Sequence, residues 1–197
     1  MTGTALGLGL GGSIIAGHRA MIKSPVPVKT EITQPQSRAH EIAAALIKNH
    51  ESFESTAYNH DGVWTIGYGN TRYSDGRPVQ PGDTITHENA LKEHEHHIHH
   101  VVIPKLKSKI PHWHLMNDHQ KAALISFSYN AGENFYGHKN YKTITKALSH
   151  PDNWHEVPSA LNLYNKGYDP KKKKVVVLPG LVRRRVEEGT LFSKPIN

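Results

Sequence analysis

Hydrophobic residues recur at helical spacing in several segments of the chain. In residues 39–49 the side chains of Ile42, Leu46 and Ile47 fall on one face, which predicts a short amphipathic helix. Residues 118–130 are apolar on nearly every face, which predicts a helix at the centre of the core. The same spacing predicts three further helices: residues 141–149, residues 181–192, and a helix that Thr86 caps and that runs to about Val102.

A different pattern covers residues 57–71, where aromatic and β-branched residues alternate with turn formers. Such alternation is typical of short strands joined by tight turns, so we expect a small antiparallel sheet. Pro104 and Pro111 are expected to bracket a break after the helix that Thr86 begins. Residues 165–177 are interpreted as a lysine-rich connection between the last two helices.

The first 37 residues differ in composition from the rest. Residues 1–22 form a glycine-rich leader whose weakly apolar part, residues 4–17, is too short and too rich in glycine for a spanning helix. Its first basic residue, Arg19, follows the apolar run, whereas a signal peptide has basic residues before it. Residues 23–37 carry three prolines and are expected to be an extended linker, so we place the catalytic domain at residues 38–197.

The amino-acid composition limits the kinds of site and partner that the chain can have. The chain has no cysteine, which excludes disulfides, thiolate metal sites and thiol nucleophiles. Its formal net charge of +7 and 16 histidines make it a polycation that anionic polymers or membrane surfaces attract. Nucleic acid and cell-wall polymer both fit that description, but the aromatic-studded basic motifs of nucleic-acid modules are missing, so we expect no nucleic-acid partner.

Candidate chemistry begins at Glu51, where the first predicted helix ends. The chain then enters a glycine-rich hairpin that holds Asp61 and Thr65. A cleft between a helix end and a small sheet can bury one carboxyl group and leave another in water. Glycoside hydrolysis uses such a pair, because one group protonates the leaving oxygen while the other attacks the sugar or orients a water molecule.

The stretch ESFESTAYNHDGVWTIGYGNT, residues 51–71, resembles the active-site signature of the phage-type lysozymes, the muramidases of tailed-phage endolysins. In that family a Glu is followed seven residues later by a Tyr, then by a nearby Asp, a Gly and the run Thr-Ile-Gly-Tyr-Gly. Residues 123–132 resemble the family's central helix, and residues 178–192 resemble its C-terminal helix.

The resemblance implies roles for single residues. It makes Glu51 the general acid and Thr65 the residue that positions water or stabilises the intermediate. The family aspartate falls on His60, with Asp61 one place later. We prefer Asp61 because a carboxylate stabilises positive charge on a sugar ring, whereas His60 could act only as a general base on water.

The resemblance also implies substrate contacts. It places Tyr129 and Asn130 at the floor of the cleft, with Tyr68 as a further substrate-binding residue, although Asn130 is equally suited to end a helix. The three arginines of the last helix are expected to be structural, pairing with Glu187 or Glu188; they are Arg183, Arg184 and Arg185.

Together these features imply an α+β, mostly helical, two-lobed fold, with a small β-hairpin lobe beside a larger helical lobe. The implied reaction is hydrolysis of the β-1,4 bond between N-acetylmuramic acid and N-acetylglucosamine in peptidoglycan, with no cofactor and no metal. The implied protein is a monomer or a virion component, made in a host cytoplasm and acting in the periplasm. Export through the inner membrane with the leader and delivery by a virion both stay open, as does a non-catalytic wall-binding or virion structural protein.

Two charged clusters have an ordinary and a functional interpretation. The histidines of residues 94–100 lack the HExxH order of zinc enzymes, so a solvated helix face is preferred to a metal site. The lysines of residues 171–174 are either a solvated loop or a tether to anionic wall polymer or lipid.

Overall fold

A computed structural model of the chain describes residues 38–60, 62–169 and 171–195. The leader expected at residues 1–22, the linker expected at residues 23–37 and the side chain of Asp61 all lie outside these ranges. No helix within the described ranges is both long enough and apolar enough to cross a membrane.

The described chain is mostly helical. The main elements, in chain order, are α1 (Arg38–His50), β1 (Glu54–His60), β2 (Val63–Gly67), α2 (His87–His97), α3 (Ile103–Lys109), α4 (Asp118–Ala131), α5 (Lys142–Leu148), α6 (Val157–Leu161), β3 (Lys166–Asp169), β4 (Lys174–Val177) and α7 (Pro179–Phe192). A π-helical turn, Ile98–Val102, joins α2 to α3. Short 3-10 turns precede α4, α5 and α6, at Trp113–Leu115, Lys139–Tyr141 and Pro151–Glu156.

Two separate clusters of buried hydrophobic side chains divide the molecule into two lobes. The larger cluster is built around α4, which packs against α1 and α7 and is buried from Ala122 to Ser128. The smaller cluster lies under the β1–β2 hairpin, with Ile66 fully buried at its centre. The predicted α+β fold with a β-hairpin lobe and a helical lobe is therefore confirmed.

Local chemistry sets the ends of α4. Asn117 caps the helix: its side chain accepts from the N–H of Gln120, and the Gln120 side chain accepts from the N–H of Asn117. Gly132 ends it with a φ of 94°, a left-handed conformation that glycine adopts without steric strain. The predicted core helix is confirmed to within one residue at its C-terminal end.

The region after Thr86 differs from the expectation. Thr86 does cap α2, since its side chain accepts from the N–H of Asn89. The predicted break at Pro104 is wrong, because the helical path continues through the π turn into α3. Pro104, the second residue of α3, has no backbone N–H to donate, and the continuous helical path accommodates it directly after the π turn.

Two further expectations are corrected. The histidine-bearing helix does not present a uniformly solvated face, because His94 is only 1% exposed and His97 is partly buried between the lobes. The lysine-rich connection is not a loop, because β3 and β4 pair as an antiparallel hairpin in the register Lys166–Val177 to Asp169–Lys174.

Candidate functional site

Glu51 lies where the helical lobe meets the β lobe. Its backbone N–H donates to the carbonyl of Ile47, so the helical path of α1 extends to it before the chain turns into β1. Its side chain is 23% exposed, and the carboxyl group is therefore partly shielded but open to a cavity. This is the placement at a helix end that the sequence predicted.

Arg184 of α7 holds one oxygen of this carboxyl group. Its Nη1 donates to Oε1 of Glu51 at 2.5 Å. The same guanidinium donates from Nη2 to the carbonyl of Ser126 at 3.1 Å and from Nε to Glu188 at 3.2 Å. Three anchors on one planar group fix its orientation, so the position of the Glu51 carboxyl group is fixed as well.

The arginine belongs to a buried cluster of charges. Glu188 is fully buried and also accepts from Arg185 Nη2 at 3.1 Å and from the Ser126 hydroxyl at 2.8 Å. Burial lowers the pKa of Arg185 to about 10, which leaves it protonated at neutral pH. Burial raises the pKa of Glu188, and the two arginines oppose that shift. The cluster thus brings two guanidinium groups, of Arg184 and Arg185, next to two carboxyl groups, of Glu51 and Glu188.

Two of the three arginines pair with Glu188, within the structural role that the sequence predicted. What sequence reasoning missed is the contact between Arg184 and the candidate acid. The available signal was the RRRVEE run, in which arginines three and four residues before Glu188 share its helix face. Glu187 faces elsewhere and contacts His50 at 2.9 Å.

Two cavities lie near Glu51. A cleft of about 530 Å³ between the lobes is lined on one side by the segment from Gly69 to Ser74 and on the other by His97, Tyr129 and Glu133. A second cavity of about 370 Å³ lies between the end of α1 and the start of α7, and Glu51 and Arg184 line it directly. Glu51 thus lines the smaller cavity and not the larger cleft.

The second oxygen of Glu51 lies on the cleft side. A methyl group built on Gly69 would come within 4.0 Å of Oε2, and Gly69 lines the larger cleft. Gly69 has a φ of 94°, so this position both requires glycine for the backbone and keeps space beside the carboxyl group. Oε1 is therefore held by Arg184 while Oε2 faces Gly69.

Tyr129 and Tyr68 occupy different places. Tyr129 lines the cleft, and its hydroxyl donates to the backbone carbonyl of Tyr68 at 2.8 Å, which ties α4 to the β lobe. Burial and the nearby Glu51 charge raise the pKa of Tyr129. Tyr68 is only 5% exposed, with its hydroxyl bonded to His87 at 2.8 Å. The expected substrate contact by the Tyr68 side chain is corrected, since its ring belongs to the core of the β lobe.

Asn130 lies in the last turn of α4 and is exposed. Its Oδ1 accepts from Arg185 Nη2 at 3.1 Å, and the residue lines the 370 Å³ cavity beside Glu51. Both of its expected roles fit this position. The Oδ1 atom is used by the charge cluster, so a contact with substrate would come from the Nδ2 group.

The β1–β2 hairpin carries the remaining candidates. Thr65 is buried on β2 opposite Tyr58, and its hydroxyl donates to the carbonyl of Val63 at 3.3 Å. His60 ends β1, is exposed, and lies 6.5 Å from Tyr58 between ring centroids. Asp61 is the next residue in the sequence and lies outside the described residues. The turn closes with the N–H of Gly62 donating to Asn59 Oδ1 at 2.9 Å.

Histidine rings form much of the wall behind the cleft. Burial lowers the pKa of His94 to about 4, and neighbouring His97 lowers it further. Burial also lowers the pKa of His97 and of His96, which both line the cleft. These imidazoles are therefore neutral at pH 7. Among the residues that the structure describes, no group of three or more histidine and acidic side chains is arranged to hold a metal ion.

The sequence matches the family model described as phage lysozyme over residues 48–188. Solved structures share the fold. An endolysin from Escherichia coli O157:H7 phage FAHEc1 is 28% identical, with a TM-score of 0.63 over 82% of this chain and 94% of that one. The muramidase domain of SpmX from Asticcacaulis excentricus is 24% identical, with a TM-score of 0.63 over 82% of this chain and 99% of that one. No curated protein matches the sequence.

Proposed function

We propose that this chain cleaves the β-1,4 bond between N-acetylmuramic acid and N-acetylglucosamine. The chain belongs to the phage lysozyme family and is therefore an enzyme that hydrolyses peptidoglycan. Glu51 is the proposed general acid. The observation that carries the assignment is the different surroundings of its two carboxyl oxygens. Arg184 holds Oε1, and Oε2 lies beside Gly69 at the cleft.

In the proposed reaction, Oε2 of Glu51 donates a proton to the oxygen that links the two sugars. The departing sugar then leaves with that oxygen as a hydroxyl group, and water supplies the hydroxyl for the other sugar. Because Arg184 is also held by the carbonyl of Ser126 and by Glu188 in the core, the carboxyl group needs little reorganisation to reach the linking oxygen. Prepositioning of this kind is a main source of rate enhancement in enzymes.

The shape and charge of the cleft suit a glycan strand. Glu51 lines one cavity, and Gly69 beside its Oε2 lines the larger cleft between the lobes, so a polymer bound in the cleft would lie near the carboxyl group. The lining of the cleft combines polar and apolar groups, and the imidazole groups of His96 and His97 are neutral at pH 7 because their pKa values are lowered. Hydroxyl and acetamido groups of sugars bind to such surfaces through hydrogen bonds and ring contacts.

Asp61 is the proposed second group, acting on the opposite side of the sugar from Glu51. The support is its place in the sequence directly after His60, the last residue of β1, and the chemistry of a carboxylate beside a positively charged ring. Thr65 is proposed to support the same step from β2. His60 stays the alternative for the second group, as a general base on water.

The test of the acid compares the parent chain with Glu51→Gln on purified peptidoglycan, following turbidity and the release of reducing sugar ends. We expect a loss of about 100- to 10 000-fold, the usual contribution of a general acid. The matched control is Glu54→Gln, which removes an exposed carboxylate three residues along the chain and should keep parent activity. Equal clearance by parent and Glu51→Gln would overturn the proposal.

A second comparison assigns the other group. We expect Asp61→Asn to lose most turnover and His60→Ala to keep it, measured on the same substrate with reducing ends as the readout. The opposite ranking would assign the role to His60. Release of peptide without new reducing ends would show that a different bond is cut.

We place the reaction in phage-mediated lysis of a host or penetration of its wall, with the enzyme made in the host cytoplasm and acting in the periplasm as a monomer or a virion component. The support is the family together with the similarity to an endolysin of an Escherichia coli O157:H7 phage. Lysis timing in a host that expresses the parent or Glu51→Gln tests this placement.

A further inference from the structure

The β3–β4 hairpin has one face that the rest of the described chain leaves uncovered. In an antiparallel pair, directly opposed residues point to the same face, so Tyr168 shares its face with Val175 and Lys166 shares it with Val177. The three apolar side chains are strongly exposed: Tyr168 by 57%, Val175 by 64% and Val177 by 52%.

The opposite face of the hairpin is the packed one. A methyl group on Gly167 would meet Cδ1 of Leu178 at 2.5 Å, so the start of α7 lies directly against this face. Val176, on the same face, is only partly exposed. Because the packed face already attaches the hairpin to the helical lobe, the exposed apolar side chains contribute nothing to that attachment.

The tip of the hairpin concentrates positive charge. Lys171, Lys172, Lys173 and Lys174 are all exposed. Asp169 organises this turn, since its Oδ1 accepts from the backbone N–H groups of Lys171 and Lys172. Lys173 adopts a φ of 51°, a left-handed turn conformation. Residues 166–177 contain five lysines and one aspartate, a net charge of +4 in a twelve-residue hairpin.

A hydrated anionic polymer would satisfy the lysines but would offer nothing to the apolar face. The boundary between headgroups and acyl chains of an anionic bilayer satisfies both. Lysines are attracted to the negative surface and reach it with flexible stems, while tyrosine and valine side chains enter the boundary layer. Charge and apolar exposure on one small hairpin therefore favour lipid over wall polymer.

We propose that the β3–β4 hairpin is a docking element for anionic lipid bilayers, with Tyr168, Val175 and Val177 entering the headgroup boundary and the four tip lysines bound to lipid phosphates. The three apolar side chains and the four tip lysines line neither the cleft nor the cavity that contains Glu51. Docking would hold the enzyme at a membrane without using the cleft. It does not depend on the bond that the enzyme cuts, so its test and the test of the catalytic proposal can fail independently.

The experiment measures cosedimentation of the full chain with vesicles of phosphatidylcholine, either alone or mixed with phosphatidylglycerol. We expect the parent to bind only the mixed vesicles. Changing the four tip lysines to Gln should weaken binding about tenfold or more. The triple variant Tyr168→Ser, Val175→Ser and Val177→Ser should also lose binding, although its charge is unchanged.

The matched control changes four exposed lysines elsewhere to Gln, which alters the net charge equally; they are Lys107, Lys109, Lys142 and Lys146. It should bind like the parent. Equal binding by the parent and the tip variant would overturn the proposal. So would parent-like binding by the triple Ser variant, because attraction would then be purely electrostatic. A tip variant that lost binding to lipid-free peptidoglycan but kept binding to vesicles would identify the wall polymer as the partner instead.

A second measurement reports how deeply the β3–β4 hairpin enters the bilayer. The chain has no cysteine, so Val175→Cys can carry an environment-sensitive fluorophore at a unique position. Mixed vesicles should shift its emission to the blue, whereas the same label at Lys109→Cys on α3 should not respond. No shift at position 175, or an equal shift at position 109, would contradict insertion of the hairpin. The hairpin variants should also keep the parent's hydrolysis of lipid-free peptidoglycan, and a joint loss of both functions would overturn a role confined to docking.

Discussion

Arg184 contacts the candidate acid and the core at the same time. Its three nitrogens reach Glu51, Glu188 and the carbonyl of Ser126, and its side chain is only 3% exposed. A planar guanidinium can make these contacts together, whereas an ammonium group at the end of a lysine cannot reach all three in the same directions. Arg184 is therefore a positioning residue for Glu51 as well as a structural one.

Replacing Arg184 with lysine keeps the positive charge but removes the planar geometry of the guanidinium group. We expect Arg184→Lys to lower kcat by on the order of 10- to 100-fold with a smaller change in KM, because the carboxyl group loses its orientation while the cleft persists. It should also lower the free energy of unfolding by about 1–3 kcal/mol, since buried acceptors lose a donor. Steady-state hydrolysis and denaturant unfolding measure the two effects.

The control is Arg38→Lys at the exposed start of α1, which should match the parent in both measurements. A rise in KM alone for Arg184→Lys would mean that the arginine binds substrate rather than positioning the acid.

The residues of the site were predicted unevenly, for physical reasons. The position of Glu51 at the end of a helix was predicted because the pattern of that helix is local in sequence. Its contact with Arg184 was not found, because 133 residues separate the partners and only the packing of α7 against α4 brings them together. The burial of the Tyr68 ring was not predicted, because a family resemblance matches residue types and not the exposure of their side chains.

Gly67 shows how tightly the β lobe packs on α2. It has a φ of 65°, and a methyl group there would lie 3.1 Å from Cβ of Ala90, which is itself fully buried. We expect Gly67→Ala to lower the free energy of unfolding by about 2–4 kcal/mol, from backbone strain and overpacking combined. Thermal or denaturant unfolding measures the change.

Gly62 offers the matched comparison, since it has a φ of 87° but no atom within 4 Å of an added methyl group. Gly62→Ala should therefore cost about 1–2 kcal/mol, from strain alone. Equal losses for the two variants would show that packing against α2 adds nothing.

Elements with strong local patterns were predicted well. The run of apolar residues in α4 is visible in sequence, and the helix follows it closely. The β3–β4 hairpin was missed because four consecutive lysines are typical of a solvated loop. The two strands are defined only by their pairing, for example of Tyr168 with Val175. The π turn was missed because a shift from an i→i−4 to an i→i−5 hydrogen bond leaves no compositional trace.

Buried histidines make the stability of the whole molecule depend on pH. His94 packs edge-on against Tyr129 with ring centroids 4.9 Å apart, and burial lowers its pKa to about 4 from an unperturbed value of 6.5. Burial also lowers the pKa of His40 to about 4. Between pH 4 and pH 6.5 the unfolded chain binds protons at these histidines that the folded chain does not. The free energy of unfolding is therefore highest above pH 6.5 and falls toward pH 4.

We expect His94→Phe, which keeps an aromatic ring but cannot titrate, to lose less stability on acidification than the parent. The difference should reach about 3 kcal/mol, from the size of the pKa change at 1.36 kcal/mol per unit. Unfolding measured between pH 7 and about pH 4.5 tests this. His114→Phe changes an exposed histidine and should follow the parent. If the free energy of unfolding fell equally with pH for the parent and for His94→Phe, the titration of His94 would be ruled out as a source of the pH dependence.

The long separation between Glu51 and Arg184 has a consequence during synthesis of the protein. A ribosome that has translated residues 38–178 has already produced Glu51, the β lobe and α4, but not the guanidinium that orients the acid. The nascent chain therefore carries an unaligned carboxyl group until α7 emerges and docks. In the proposed mechanism, activity therefore requires α7, the last helix of the described chain, and proteolytic removal of α7 should inactivate the enzyme without altering residues 51–71.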